Sequence, residues 1–153
     1  KTPESEYENI RRFQKMGHRT DQLIRPRKPV FFLAMHYEIQ PINSLIAEIQ
    51  ADGIIIRTAE DGLDLLGNTY YQGFERMILH AKNMTPEFFD LKNGLAGEIL
   101  QKFSNYRMRL VIVGDFSAYT GKAIRDFMFE SNKGKLVQFL PSLEEAVNRL
   151  TEN

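Results

Sequence analysis

The densest run of chemically capable side chains is Asp115, Ser117, Thr120, Lys122, Arg125 and Asp126. Asp115 follows the apolar segment Arg109-Leu110-Val111-Ile112-Val113. Open α/β sheets bind ligands beyond the carboxyl ends of such strands. Lys122 and Arg125 fall near the start of the next helix, one turn apart, where a phosphate or carboxylate can be held between them. The alternative is purely structural. Ser117 and Thr120 then cap the turn, and Lys122, Arg125 and Asp126 form a solvated ion-pair surface of little energetic weight. Gly121-Lys122 does not make a Walker-type phosphate loop. Phe116 stands where the earlier glycine is required, and Ala123 replaces the magnesium-binding hydroxyl.

A second candidate is the turn Asp90-Leu91-Lys92-Asn93-Gly94-Leu95-Ala96-Gly97. Backbone N–H groups exposed at a helix start attract anions, and Lys92 adds a positive charge. The plainer reading is that Asn93 caps the helix and the glycines let it pack closely on a sheet. Asp90, Lys92, Asn93 and Gly94 are therefore candidate binding residues.

Other chemistries find no constellation in the sequence. His18, His36 and His80 are scattered, and no His-x-x-x-His or carboxylate cluster has metal-ligand spacing. His80, at a strand end, reads as a packed or capping residue. There is no cysteine, hence no disulfide, thiolate nucleophile or cysteine metal site. Serine nucleophile elbows and dinucleotide glycine fingerprints are missing. The expectation is a non-enzymatic protein with no cofactor and no metal.

These candidates need a scaffold, and the pattern from residue 37 onward supplies one. Tyr37 to Ile42 and Leu45 to Gln50 read as two strands, the second alternating Ile46, Glu48 and Gln50 against Leu45, Ala47 and Ile49. Asp52-Gly53 is a turn signal, and Gly53 to Arg57 reads as a third short strand. Thr58 with Asp61 makes a capping box for a helix with Leu63, Leu66 and Tyr70 inward, a possible kink at Gly67 and a stop at Gly73. Asp61 and Asp64 read as solvated surface. Glu75 to Ala81 is a strand, and Thr85-Pro86-Glu87 starts a short helical turn. Leu95, Ile99 and Phe103 share one helix face. Met108 to Gly114 reads as a strand covered on both faces. A helix over Thr120 to Lys133 points Ile124, Phe127 and Met128 inward and stops at Gly134. Leu136 to Leu140 is the last strand. Ser142 and Glu145 box the final helix, which buries Ala146, Val147 and Leu150. Strands alternating with helices predict an α/β fold: a mostly parallel sheet with an antiparallel N-terminal hairpin and helices packed on it.

Residues 1–34 read differently. Thr2-Pro3-Glu4 starts a helix carrying Tyr7, Ile10 and Phe13, with Gly17 as its stop. His18 to Pro29 is polar, basic and twice broken by proline, so 1–34 reads as a helical arm and 35–153 as the compact domain. Charge divides the same way. Residues 1–36 hold eight Lys and Arg against four Asp and Glu, and residues 37–153 twelve against sixteen. Nucleic-acid binding by the arm is disfavoured, because no basic–aromatic interleaving marks such a surface. Docking of the arm on its own acidic body or on a second copy accounts for the asymmetry. No secretory signal is visible, and the longest apolar run, Val30 to Met35, is too short to span a bilayer. The location expected is cytoplasmic, and the expected partners are another protein or a second copy.

Two long segments carry a family resemblance. One is Phe88-Phe89-Asp90-Leu91-Lys92-Asn93-Gly94-Leu95-Ala96-Gly97-Glu98-Ile99-Leu100-Gln101-Lys102-Phe103. The other runs Val113-Gly114-Asp115-Phe116-Ser117-Ala118-Tyr119-Thr120-Gly121-Lys122, then through Arg125-Asp126-Phe127 to Glu130-Ser131-Asn132-Lys133-Gly134. Over about residues 36–150 the chain resembles the bacterial domain-of-unknown-function 4180 family, which implies no activity. More distantly it resembles STAS domains, the fold of anti-sigma factor antagonists. Asp90, Gly94, Leu95 and Gly97 look like the aspartate and glycines that open the second STAS helix. That resemblance implies a regulatory, protein-binding role. It also implies a phosphorylated serine just before the glycines, where this chain has Lys92 and Asn93. The phospho-switch is therefore not expected here. The rival reading is a sensor or small enzyme that binds an anionic metabolite near Asp115, Lys122 and Arg125.

Overall fold

The computed structural model describes residues 37–152. The arm predicted over 1–34, with His18 and His36, lies outside them. The elements are β1 (Glu38–Pro41), β2 (Ile46–Gln50), α1 (Ala59–Tyr71), β3 (Arg76–His80), α2 (Leu95–Asn105), β4 (Arg109–Val113), α3 (Lys122–Lys133), β5 (Val137–Leu140) and α4 (Leu143–Thr151). Three short 3-10 turns, Ala81–Asn83, Pro86–Phe89 and Leu91–Asn93, join β3 to α2. The five strands form one sheet in the order β1-β2-β3-β4-β5. β1 and β2 pair antiparallel, and every later pair is parallel. This is the α/β fold with an antiparallel hairpin that the sequence predicts.

Sequential strand order fixes where the helices go. Parallel crossovers are right-handed, so three crossovers stepping in one direction deposit their helices on one face. The main core accordingly unites Met77, Leu79, Leu110, Ile112 and Phe139 of the sheet with Leu65 and Leu66 of α1, Ile99 and Phe103 of α2, and Ile124 and Met128 of α3. Helix α4 connects no further strand among the described residues and covers the opposite face. Its Ala146 and Leu150 pack on Ile78, Val111, Val113 and Leu140.

Two arginines from the sheet hold α4 at its C-terminus. Arg76 donates to the Leu150 carbonyl, and Arg109 donates to the carbonyls of Arg149 and Glu152. They satisfy acceptors that a helix end leaves open, and their charge suits the negative end of its dipole. Burial, then the neighbouring Arg76, holds the Arg109 pKa below its usual value.

One predicted strand is corrected. Gly53 to Arg57 enters no sheet and makes a single bridge, Ile56 with Met84. The chain following β3 claims this run instead. The N–H groups of Ile55 and Ile56 both donate to the Asn83 carbonyl, and Thr85 N–H donates to Ile56. The buried Asn83 amide donates to Ala51 and Gly53 at 2.9 Å each. Since β2 pairs directly with β3, no place remains between them.

Helix termini follow local chemistry. The capping box of Thr58 and Asp61 forms, and α1 runs unbroken through Gly67. Leu65 joins the buried stripe beside Leu66. Burial, then Asp61 and Glu60, raises the Asp64 pKa. Ser142 caps α4 by accepting from the Glu145 N–H. Helices α1 and α2 both end in paired 6→1 and 5→2 bonds: Phe74 to Thr69 with Gly73 to Tyr70, and Met108 to Phe103 with Arg107 to Ser104. Gly73 occupies the left-handed position of the first at φ +96, whereas Arg107 takes it in the second at φ +56. Arg107→Gly is therefore expected to stabilise the protein by about 0.5–1 kcal/mol. A urea midpoint unchanged or lowered would contradict this.

Candidate functional site

Strands β3 and β4 run parallel, with His80 opposite Val113 at their carboxyl ends. Beyond these residues the chains separate, yet they start very close together. A Cβ on Gly114 would lie 2.8 Å from the Ala81 Cβ. Only glycine lets the two chains pass there and then diverge.

After Gly114 the chain folds into tight turns. Asp115 Oδ1 accepts from the Ser117 N–H at 3.0 Å, and Tyr119 N–H donates to the Phe116 carbonyl. The Ser117 side chain, then its backbone N–H, holds the Asp115 pKa below the usual carboxylate value. Helix α3 starts at Lys122 rather than Thr120. Gly121 stands at its N-cap with no side chain to close it. Thr120 is exposed. The side chain of Lys122 turns to Asp126, at 2.6 Å, and this contact raises the lysine pKa. Arg125 lines a cleft of about 400 Å³ with Phe116, Ser117, Tyr119 and Met128. The expected Lys122–Arg125 clamp is thus divided: one cation belongs to a helix-surface pair, the other to the cleft.

The turn at Asp90 faces solvent, with Asp90, Lys92, Asn93 and Gly94 all exposed. Asp90 Oδ1 accepts from the Lys92 N–H. Asn93 works in two directions, its oxygen accepting from Leu95 N–H at 2.9 Å and its amide donating to the Glu87 carbonyl at 2.8 Å. The formal N-cap is Gly94, held at φ +79. The capping role predicted for Asn93 is therefore carried out from one residue earlier.

Aromatic rings join the two predicted regions. Phe89, beside Asp90, stacks on Tyr119 with centroids 4.7 Å apart. Phe116 packs against Phe89 and edge-on against Phe139 of β5. The Asp90 turn, the loop from Asp115 to Gly121 and the start of α3 therefore form one edge of the molecule.

A larger cleft of about 540 Å³ adjoins this edge and shares Tyr119 with the smaller one. His80, Lys82, Val113 and Asp115 line it, with Ile54 and Met84. His80 Nε2 lies 2.7 Å from Glu48 Oε2. The pair was not legible as a site. Its members are 32 residues apart, and only the register of β2 on β3 brings them together. The one signal is a glutamate, Glu48, in the middle of a short strand flanked on both sides by apolar residues. Among the described residues, no group of three or more His, Cys, Asp or Glu side chains is placed to hold a metal.

Together these features define an open α/β domain whose parallel strands end at clefts beneath an aromatic, polar-rimmed edge. More particularly, the chain belongs to the family described as Domain of unknown function (DUF4180), which matches residues 42–150. That span holds both predicted regions and all strands but β1. Comparison with curated proteins and with solved structures finds no match. No helix among the described residues is long and apolar enough to cross a membrane.

Proposed function

We propose that this domain is a non-enzymatic, STAS-like regulatory module of the cytoplasm that binds another protein or a second copy of itself. The docking surface is the edge built from Asp90, Lys92, Asn93 and Gly94 with Asp115, Ser117, Thr120, Lys122 and Arg125. The observation that carries this reading is the stack of Phe89 on Tyr119, which makes two exposed polar segments one semi-rigid surface. Pre-organised surfaces lose less entropy on binding. Phe129, 65% exposed one turn beyond Arg125, adds an aromatic anchor of the kind that dominates protein interfaces. With no hydroxyl at Lys92-Asn93, docking is constitutive rather than phosphorylation-gated.

The test is a partner isolated with the intact protein, or its self-association measured by sedimentation. Lys92→Glu combined with Arg125→Glu should weaken the interaction about tenfold or more while leaving the unfolding midpoint unchanged. Undiminished binding by this folded variant would remove the assignment. A second reading, a sensor of an anionic metabolite, is favoured by Arg125 lining the smaller cleft beside Ser117. It predicts thermal stabilisation by phosphorylated or carboxylated compounds that Arg125→Ala abolishes.

A further inference from the structure

Glu48 lies on the sheet face shared with Ile46 and Ile78, and it is only 7% exposed. Burying a carboxylate is costly unless it is paired, and an apolar pair in the same place is often as stable or more so. Packing alone therefore gives no reason for a glutamate here. Its partners are His80 Nε2 at 2.7 Å and the Gln50 amide at 3.2 Å. Glu48 is almost fully enclosed, whereas the His80 side chain keeps 20% of its surface and lines the larger cleft. The pair thus has a closed end and an open end.

The hydrogen bond also sorts the two ring nitrogens. With Nε2 committed to Glu48, Nδ1 has no partner among the described residues. An imidazole fixed through one nitrogen presents the other in a set direction, and the imidazolium form makes it a donor. Lys82 supplies a second cation in the same cleft. Ile54, Met84 and Val113 supply apolar wall. The volume, about 540 Å³, falls within the range of small-molecule sites. The place, beyond the carboxyl ends of adjacent parallel strands, is where open α/β sheets hold ligands.

Charge narrows the class of ligand. Asp115 lines the same cleft and opposes a highly charged anion. Glu48 balances the charge of an imidazolium it holds, and Asp115 balances Lys82, so the lining has no excess positive charge to offer a phosphate dianion and suits at most a monoanion held by directed donors. We infer that the cleft between β3 and β4 binds a small organic monocarboxylate with an apolar body. Lys82 and His80 receive the carboxylate, Ile54, Met84 and Val113 receive the apolar part, and Glu48 is the positioning residue that orients His80. The cleft shares Asp115 and Tyr119 with the docking edge, but Lys82, His80 and Glu48 lie outside that surface, and neither assignment requires the other.

Benzoate is the probe, with inorganic phosphate as the comparison, titrated into the intact protein while His80 ring and Lys82 side-chain resonances are followed by NMR. Benzoate should shift both sets saturably, and phosphate should bind at least several-fold more weakly. His80→Gln and Lys82→Ala should each weaken benzoate about tenfold, the size of one lost charge-assisted hydrogen bond. Lys82 is exposed, so its variant keeps the test open if His80→Gln does not fold. Glu48→Gln should weaken benzoate several-fold with the remaining spectrum little changed, an effect that a purely structural glutamate would not produce. Resonances unmoved by benzoate would overturn the site. Phosphate binding as tightly as benzoate would overturn the ligand class, and full affinity in folded Glu48→Gln would overturn its positioning role.

Discussion

Asn132→Leu is expected to lower stability by about 2–3 kcal/mol and to make the protein associate as its concentration rises. Strand β5 is an outer strand of the sheet, so its outward backbone groups are candidates for pairing with another chain. Helix α3 occupies them first. Asn132 Oδ1 accepts from the Phe139 N–H at 2.6 Å, and its amide donates to the Phe139 carbonyl at 3.0 Å. Ser131 donates to the Val137 carbonyl at 2.6 Å. One asparagine side chain thus makes both contacts of a missing neighbouring strand. Leucine keeps the bulk and removes both bonds beside a buried residue. Asn132→Asp keeps the acceptor and loses the donor, so it should fall between leucine and the natural residue. Urea denaturation and sedimentation velocity read the two effects. A leucine variant as stable and monodisperse as the parent would show the edge to be protected by something else.

Gly114→Ala is expected to cost about 1–3 kcal/mol, the range for forcing a methyl into filled space. The atom it meets, the Ala81 Cβ at 2.8 Å, is fixed to the backbone and cannot rotate away. Relief must come from moving β3 and β4 apart where they frame the larger cleft. Removing the opposing methyl should therefore remove most of the penalty. In a double-mutant cycle, Gly114→Ala should be markedly less harmful on an Ala81→Gly background than alone. Strict additivity of the two substitutions would place the strain elsewhere, for example against Phe116, whose ring lies 3.3 Å from the added carbon.

The features legible in the sequence are those that depend on neighbours along the chain. Thr58 with Asp61, Pro86 after Thr85 and the stripe of Ile99 and Phe103 need only a few consecutive residues, and each forms as the pattern implies. The contact of Lys122 with Asp126 is equally local. Its i,i+4 spacing already argued against a lysine free to clamp an anion with Arg125. What could not be read depends on register. Ile54-Ile55-Ile56 has the composition of a strand, but Asn83, far along the chain, decides where it docks. Glu48 and His80 meet only because parallel strands align them. Asp90 and Asp115 were legible as separate places, and the ring geometry of Phe89 and Tyr119 that unites their segments was not. The motif Glu130 to Gly134 was visible as a family signature. Its use as a shield for β5 emerges only when α3 and β5 are placed side by side.

The strand order has a consequence for how the molecule is assembled. Each parallel strand pairs with the one that precedes it in the chain, so no pairing waits for a distant segment. The sheet can grow by accretion in the direction of synthesis, each step closing one strand–helix–strand unit. At every stage the newest strand is the exposed margin. Before β5 is made that margin is β4, whose centre, Leu110 to Val113, is wholly apolar. The shield on Ser131 and Asn132 precedes β5 in the chain and waits for it. Between the completion of β4 and the arrival of β5, the growing sheet thus presents an apolar margin whose shield has not yet formed.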